Sequence, residues 1–166
     1  VGPLVSTMQR DRVDAQVDAA LTHGAKLLYK SSLPESAPEG SSFAPVTVLG
    51  GIHQNMDIQK HETFGPVVSI GTFDGSEDEG ARLANDTEYG LASCVYTTDD
   101  AKATRVARRI RSGQVGINCH PFNNASSNCP WVGHKTSGFG YHSGWDGWRQ
   151  FSVPKSLVFA VSSEET

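Results

Sequence analysis

The sequence predicts an α/β protein in which helices cover a parallel β-sheet. Between residues 67 and 118, segments with strand character alternate with segments of helical periodicity, and Gly or polar turns separate them. Strands that alternate with helices are typical of parallel sheets, because each crossover helix packs on a sheet face. The 166 residues are 37% hydrophobic and 19% charged, which is an ordinary globular composition that allows one domain with a buried core.

The first predicted element is an amphipathic helix over residues 7–23. Val13, Val17, Ala20 and Leu21 recur at helical spacing, and Gly24 is a natural stop. Short strands are predicted at 26–29 and 45–49. The Ser- and Pro-rich segment 31–42 between them is predicted to be a surface loop.

The alternating elements follow. We predict strands at 67–73, 91–97 and 114–118, and helices at 78–85 and after Asp99 or Asp100. In the second helix four apolar residues share one face, namely Ala103, Val106, Ala107 and Ile110. Four arginines fill its other face, namely Arg105, Arg108, Arg109 and Arg111. They could attract an anionic partner, but a solvated helix face explains them better.

The last third of the chain has a different character. Residues 120–147 are rich in Gly, Ser, Asn and aromatic side chains, which is typical of long loops that line binding sites. Residues 156–161 are predicted to form a C-terminal edge strand. Such a strand needs a partner, in this subunit or in another.

Charge and cysteine content exclude several function classes. The net charge is −4 without a long basic run, which argues against nucleic acid as a partner, and no apolar segment approaches membrane-spanning length. Three widely spaced cysteines favour a reducing compartment such as the cytoplasm over a disulfide framework. The opening Val1-Gly2-Pro3-Leu4-Val5 reads like the middle of a polypeptide, so we expect a piece of a longer protein.

A metal site is the weaker interpretation of the His and Cys residues near the C-terminus. The soft ligands are Cys119, His120, Cys129, His134 and His142. Their spacing fits no paired Cys-x-x-Cys or His-x-x-x-His arrangement, so we predict no metal.

The most informative segment runs from His61 to Val68. It joins the Glu62 carboxylate and the Phe64 ring to a Gly65-Pro66 bend that precedes a strand. Side chains that lie just before such a bend are well placed to bind a ligand. The alternative is a surface carboxylate beside a core phenylalanine.

Read in order, the segments resemble the C-terminal part of the aldehyde dehydrogenase superfamily. Glu62-Thr63-Phe64-Gly65-Pro66-Val67 matches its Glu-x-Phe-Gly-Pro-Val signature, and Asn85-Asp86-Thr87-Glu88-Tyr89-Gly90-Leu91-Ala92 matches its Asn-x-x-x-Tyr-Gly-Leu-Ala segment. The block from Pro130 to Gly140 resembles the family's Gly-rich Lys-x-Ser-Gly-x-Gly block. Two departures stand out: Val132 replaces a glycine, and Tyr141-His142 replaces a usual Arg-Glu pair.

The resemblance implies an enzyme that oxidises an aldehyde to a carboxylic acid with NAD or NADP. In that chemistry a Cys thiolate attacks the aldehyde, a hydride leaves for the nicotinamide, and a water activated by a Glu frees the acid. The family places that nucleophile and that general base upstream, so we assign no catalytic residue to this chain. Cys94, Cys119 and Cys129 do not match the nucleophile.

The resemblance does assign binding roles to this chain. Glu62 would accept hydrogen bonds from the nicotinamide-ribose hydroxyls, and Phe64 would limit the movement of that group. Trp131, and with less support Phe122, would line the substrate tunnel, although a buried core Trp explains Trp131 nearly as well. Asn118 would hold its loop by hydrogen bonding.

The resemblance also divides the chain. Residues 1–150 would be part of the catalytic domain and residues 151–166 the oligomerisation strand and tail, through which a homodimer or homotetramer would form. Two alternatives stay open. One is a non-catalytic interaction module with the same fold, and the other is an acylating or phosphate-activated reductase of the superfamily.

Overall fold

The computed structural model describes residues 1–121 and 127–160 and has two compact units, Val1–Glu88 and Tyr89–Thr166. Helix α1 (Thr7–Thr22) opens the first unit. The Ser6 hydroxyl caps it by accepting a hydrogen bond from the Gln9 N–H at 3.1 Å, and Gly24 beyond its end has a φ of 98°. Ser at the N-cap and Gly beyond the C-terminus are the residues that these positions favour.

Three strands form the sheet of the first unit: β1 (Lys26–Lys30), β2 (Thr47–Gly50) and β3 (Val67–Ile70). They lie in the order β1-β2-β3, with β2 and β3 parallel and Thr47 opposite Val67. Strand β1 is antiparallel to β2, so this sheet is mixed and its parallel pair is β2 and β3. The segment between β1 and β2 has no crossover helix, and a parallel pair needs one.

Two further helices complete this unit. Helix α2 (Asp57–Lys60) is a single turn that the sequence did not indicate, because four residues are too few to show a period. Helix α3 (Glu77–Asn85) lies where a helix is predicted, and Ser76 caps it by accepting from the Glu79 N–H at 3.2 Å. Strand β3 ends at Ile70, three residues before its predicted end.

The core of the first unit forms where α1 meets the sheet and the segment around α2. It consists of Val17, Ala20, Ala25, Leu49, Ile52, Met56 and Ile58. The predicted apolar face of α1 is confirmed, since Val13, Val17 and Ala20 are buried and Leu21 packs against the core. Packing of this face is the main source of stability for a helix of this length.

The second unit contains a parallel strand pair and two short antiparallel pairs. Its elements are β4 (Tyr89–Gly90), β5 (Ala92–Val95), α4 (Asp100–Ala107), β6 (Gln114–Ile117), β7 (Trp131–Val132), β8 (His134–Lys135), β9 (Tyr141–His142) and α5 (Gly144–Arg149). Strands β5 and β6 are parallel with α4 between them in the chain, as the alternation predicts. Strands β4 and β8 pair, as do β7 and β9.

Helix α4 lies where a helix is predicted but ends at Ala107, before Ile110 of the predicted apolar face. The Asp99 carboxylate caps it by accepting from the Lys102 N–H at 2.9 Å, and Ala103 is fully buried. The four arginines of the predicted polar face are exposed, although Arg108, Arg109 and Arg111 lie beyond the end of the helix.

The predicted C-terminal edge strand has no partner among the residues of this chain that the structure describes, and its pairing with another subunit stays a prediction. Ser156–Ala160 form no strand there, and Leu157, Val158 and Phe159 are exposed. A strand requires hydrogen bonds to a neighbour, and within residues 1–121 and 127–160 none pairs with this segment. Among these same residues, no helix has the length and apolar character needed to cross a membrane.

Candidate functional site

The segment Glu62–Pro66 lies between α2 and β3, at the amino ends of the parallel strands β2 and β3. The Pro66 carbonyl accepts a hydrogen bond from the Thr47 N–H at 2.9 Å, which attaches the end of the segment to β2. The Val67 N–H donates to the Gly65 carbonyl at 2.8 Å and closes the bend. The sheet therefore fixes the carboxyl end of the segment.

Helix α1 fixes the middle of the same segment. The side-chain amide of Gln9 donates to the Thr63 carbonyl at 3.0 Å and to the Phe64 carbonyl at 3.3 Å. The Gly65 backbone lies against Val13 so closely that a Cβ at position 65 would stand 2.6 Å from Val13 Cγ2. This close approach explains why the bend has a glycine.

Glu62 and Phe64 project from this anchored backbone into solvent. The Phe64 ring is 71% exposed and Glu62 is exposed, so Phe64 is not a core residue in this structure. Phe64 also has a φ of 48°, in the left-handed region that costs an L-residue about 1–2 kcal/mol. Its neighbours must supply that free energy, and the two hydrogen bonds from Gln9 contribute to it.

The beginning of the segment is attached to α1 through Asp57. The Gln16 amide donates to Asp57 Oδ2 at 3.3 Å, and Asp57 Oδ1 lies 2.7 Å from His61 Nδ1. The hydrogen bond from Gln16 lowers the pKa of Asp57; His61 and the charge of Arg12 lower it further, while desolvation acts in the opposite direction. Asp57 is therefore held as a carboxylate beside His61.

The second unit holds the predicted substrate residue Trp131. Trp131 lies in β7 opposite His142 of β9, with the two rings edge to face and their centroids 6.2 Å apart. Trp131 is half-buried, which leaves part of its surface open. Phe122, the other predicted substrate residue, lies outside the described residues.

The loop at Tyr141 is held by the side chain of Gln150. The Gln150 side chain accepts from the Tyr141 N–H at 2.8 Å and donates to the Tyr141 carbonyl. One amide thus satisfies both backbone groups of Tyr141.

Asn118 follows β6, and its side chain is hydrogen-bonded to Thr97 beyond the end of β5. Its side chain accepts from the Thr97 N–H and donates to the Thr97 carbonyl, both at 2.9 Å. Asn118 has a φ of 53°, a conformation that asparagine tolerates better than most residues.

The cysteines and histidines of the described chain show no clustering for a metal. Within residues 1–121 and 127–160, no three His, Cys, Asp or Glu side chains are arranged to share an ion. The three cysteines are free thiols; Cys94 and Cys119 are half-buried and Cys129 is exposed.

Sequence reasoning missed the residues that support the segment. Gln9, Gln16 and Asp57 act through partners far away in the chain. One signal was present: Gln9 and Gln16 fall on the same helical stripe as Val13, Val17 and Ala20. A polar residue within an apolar stripe is expected to be buried with a partner.

Solved structures share this fold. An NAD-dependent aldehyde dehydrogenase from Sinorhizobium meliloti superimposes with a TM-score of 0.84 at 30% identity, over 100% of this chain and 32% of that one. A Mycobacterium tuberculosis aldehyde dehydrogenase complexed with NAD+ gives a TM-score of 0.82 at 35% identity, over 91% of this chain and 30% of that one. The fold is thus of the class found in these α/β oxidoreductases.

Sequence relatives agree. Residues 1–157 match the aldehyde dehydrogenase family. The chain is 38% identical to the chloroplastic betaine aldehyde dehydrogenase of Beta vulgaris over 99% of its length, and 39% identical to betaine aldehyde dehydrogenase of Bacillus subtilis over 94%. It spans 32% and 31% of the lengths of these two relatives. The chain belongs to the aldehyde dehydrogenase family.

Proposed function

We propose that this chain is the C-terminal part of an NAD(P)-dependent aldehyde dehydrogenase, in which it supplies the nicotinamide-ribose clamp and part of the substrate tunnel. The observation that carries the proposal is the anchored Glu62–Pro66 segment. It presents a carboxylate and an aromatic ring from a backbone fixed by α1 and β2. Residues 1–150 would belong to the catalytic domain and residues 151–166 to the oligomerisation strand and tail.

The exposed groups of the segment fit the ribose of a nicotinamide cofactor. An ionised carboxylate has two acceptor oxygens, which suit the two neighbouring hydroxyls of a ribose. The Phe64 ring offers an apolar surface beside the carboxylate, and its backbone is held by Gln9. The cofactor, when bound, accepts the hydride, while Glu62 and Phe64 restrict its orientation.

Trp131 would be this chain's contribution to the wall of the substrate tunnel, and Phe122 is predicted to be a second residue of that wall. A half-buried indole supplies an apolar surface and one N–H donor. Several relatives are named betaine or aminoaldehyde dehydrogenases, so we propose that the aldehyde carries an amine or ammonium group. An aromatic wall attracts such a cation through the face of the ring.

The C-terminal tail would form the oligomer. Leu157, Val158 and Phe159 are each more than two-thirds exposed, and a second copy would cover them by pairing with this segment. Removal of residues 156–166 from the complete protein is expected to reduce its mass in solution, measured by light scattering. An unchanged mass would exclude the tail as the oligomer contact.

The free thiols agree with a reducing compartment such as the cytoplasm.

The experiment that tests the proposed enzyme is aldehyde-dependent formation of NADH or NADPH by the complete protein that contains this chain. We expect turnover in the complete protein and none in residues 1–166 alone, because the nucleophile is proposed to lie upstream. Glu62→Ala is expected to raise the cofactor KM about tenfold or more, because tenfold corresponds to about 1.4 kcal/mol, the lower end of one hydrogen bond to a charged group. A complete protein without turnover would support the non-catalytic module, and aldehyde formation from an acyl donor would support the reductase.

A further inference from the structure

We propose that Asp57 is a positioning residue for the cofactor-binding segment, because it joins the buried Gln16 of α1 to His61, the residue just before Glu62. This inference rests on the function proposed above. Asp57 does not contact the proposed cofactor itself. It fixes the orientation of Glu62 and Phe64.

The fixed end of the connection is Gln16. Gln16 is only 8% exposed, and its side-chain amide donates to Asp57 Oδ2 at 3.3 Å. Within the described part of the chain, the other amide atom, Gln16 Oε1, is buried and has no hydrogen-bond partner. A buried carbonyl without a hydrogen-bond partner lowers the free energy of unfolding. The Gln16 amide is therefore held in this position at a cost in stability.

The other end of the connection is His61. Asp57 holds this residue twice: its Oδ1 lies 2.7 Å from His61 Nδ1, and its carbonyl accepts the His61 N–H at 2.9 Å. The second contact belongs to the single turn α2, and one turn of helix is unstable by itself. The side-chain contacts of Asp57 therefore connect that turn to the much longer α1.

The remainder of the segment is held elsewhere. Gln9 fixes the carbonyls of Thr63 and Phe64, and β2 fixes Pro66. Glu62 thus stands between a part of the backbone that Gln9 holds and a part that Asp57 holds. Loss of the Asp57 contacts would leave Glu62 supported from one side only.

A positioning role predicts a particular kinetic signature. If Glu62 becomes less ordered, cofactor binding weakens, whereas the proposed upstream nucleophile and base are unaffected. In the complete enzyme, Asp57→Ala is expected to raise the cofactor KM about 3- to 10-fold, as for the loss of about one hydrogen bond, with kcat changed less than about twofold.

Asp57→Asn provides rescue by a conservative variant. The Gln16 amide can turn so that its Oε1 accepts from the new amide, which leaves the Asn oxygen to accept from His61. The cofactor KM of Asp57→Asn is therefore expected to lie close to that of the parent enzyme. Should Asp57→Ala fail to fold, His61→Ala removes the same contact at an exposed position and is expected to raise the cofactor KM similarly.

Asp74→Ala is the matched control. Asp74 is an exposed carboxylate of the same unit that accepts a hydrogen bond from the Ser76 N–H at 2.8 Å. This variant is expected to lower the Tm without changing the cofactor KM. An equal rise in cofactor KM for Asp57→Ala and Asp74→Ala would overturn the inference, because it would indicate a general loosening of the unit.

Glu62→Ala separates failure of this inference from failure of the proposed function. If Glu62→Ala raises the cofactor KM and neither Asp57→Ala nor His61→Ala does so, the role of Asp57 is excluded and the clamp remains. If Glu62→Ala also leaves the cofactor KM unchanged, the proposed clamp is itself wrong.

Discussion

The side-chain amide of Gln9 lies 3.0 Å from the carbonyl oxygen of Thr63, although 54 residues separate them in the chain. The same nitrogen lies 3.3 Å from the carbonyl oxygen of Phe64. One residue near the start of α1 thus holds the backbone of the segment that carries the family signature. This arrangement makes α1 a support for the proposed cofactor site as well as part of the core.

We predict that Gln9→Ala lowers the free energy of unfolding by about 1 kcal/mol, because two backbone carbonyls lose a shared donor. Gln9→Glu is the matched control: it keeps the length of the side chain but, when ionised, cannot donate. Both variants should lower the Tm, measured by differential scanning fluorimetry. A Gln9→Glu variant as stable as the parent would show that the donated hydrogen bonds do not matter.

Phe64 offers a test of backbone strain. Because its φ is 48°, Phe64→Gly should be about 1 kcal/mol more stable than Phe64→Ala, which keeps a Cβ in the left-handed region. Both variants remove the ring and should raise the cofactor KM of the complete enzyme. The order of the two Tm values decides the point, and an Ala variant more stable than the Gly variant would contradict the strained conformation.

Gly113 is expected to tolerate no side chain. A Cβ at this position would stand 1.6 Å from the Val132 carbonyl oxygen, and backbone cannot move aside as a flexible side chain can. We expect Gly113→Ala to cost more than about 3 kcal/mol, at the upper end of overpacking effects. Gly2→Ala, with nothing within 4 Å of its Cβ, is the control. Soluble yield and Tm measure the difference, and similar values for the two variants would refute the contact.

Asn118 is expected to matter through both of its bonds to Thr97. Asn118→Ala removes a donor and an acceptor at an exposed position and leaves a Cβ at positive φ, so we expect a loss of about 1–2 kcal/mol. Asn118→Gly removes the same bonds but relieves the backbone, and should fall between Ala and the parent in urea titrations. A Gly variant less stable than the Ala variant would contradict this account.

Acid should destabilise the first unit through three carboxylates. Hydrogen bonds from Gln16, Ser76 and Arg82, respectively, are the main causes that lower the pKa of Asp57, Asp74 and Glu79 below the ordinary values of 3.8 and 4.5. The unfolded chain therefore binds more protons than the folded chain in that range. The stabilisation is complete above those ordinary values and is lost as the pH falls through the lowered ones.

The measurement is Tm against pH between about 2.5 and 6, compared with a variant that carries Asp57→Asn, Asp74→Asn and Glu79→Gln. The variant should have the shallower curve at the acid end. Parallel curves would show that other groups dominate acid unfolding.

The elements with strong periodicity could be predicted from the sequence, because burial of one face determines them. The apolar face of helix α1 follows this rule, as does the buried Ala103 of α4. Helix α2 could not be predicted, because a single turn has no period to detect. The C-terminal strand was predicted from composition, but strand formation depends on a hydrogen-bonding partner that composition does not specify.

Only some residues of the candidate site could be predicted from the sequence. Glu62 and Phe64 were found because they form one contiguous motif with a bend. Gln9, Gln16 and Asp57 were not found, because their roles depend on contacts between residues that are distant in the chain. The exposure of Phe64 also required the structure, since a phenylalanine beside a strand is more often buried.

The spacing of Gln9 and Gln16 in α1 restricts where homologous proteins can gain or lose residues. Gln9 and Gln16 are separated by almost two helical turns, so one inserted residue between them would rotate one away from its partner by about 100°. The loop at residues 31–42 is attached near its two ends, where the Ser31 N–H donates to the Val46 carbonyl and the Ser42 carbonyl accepts from the Leu4 N–H. Between these two points extra residues are accepted at small entropic cost. Insertions and deletions among homologous proteins should therefore accumulate in that loop and be excluded from the seven-residue interval of α1.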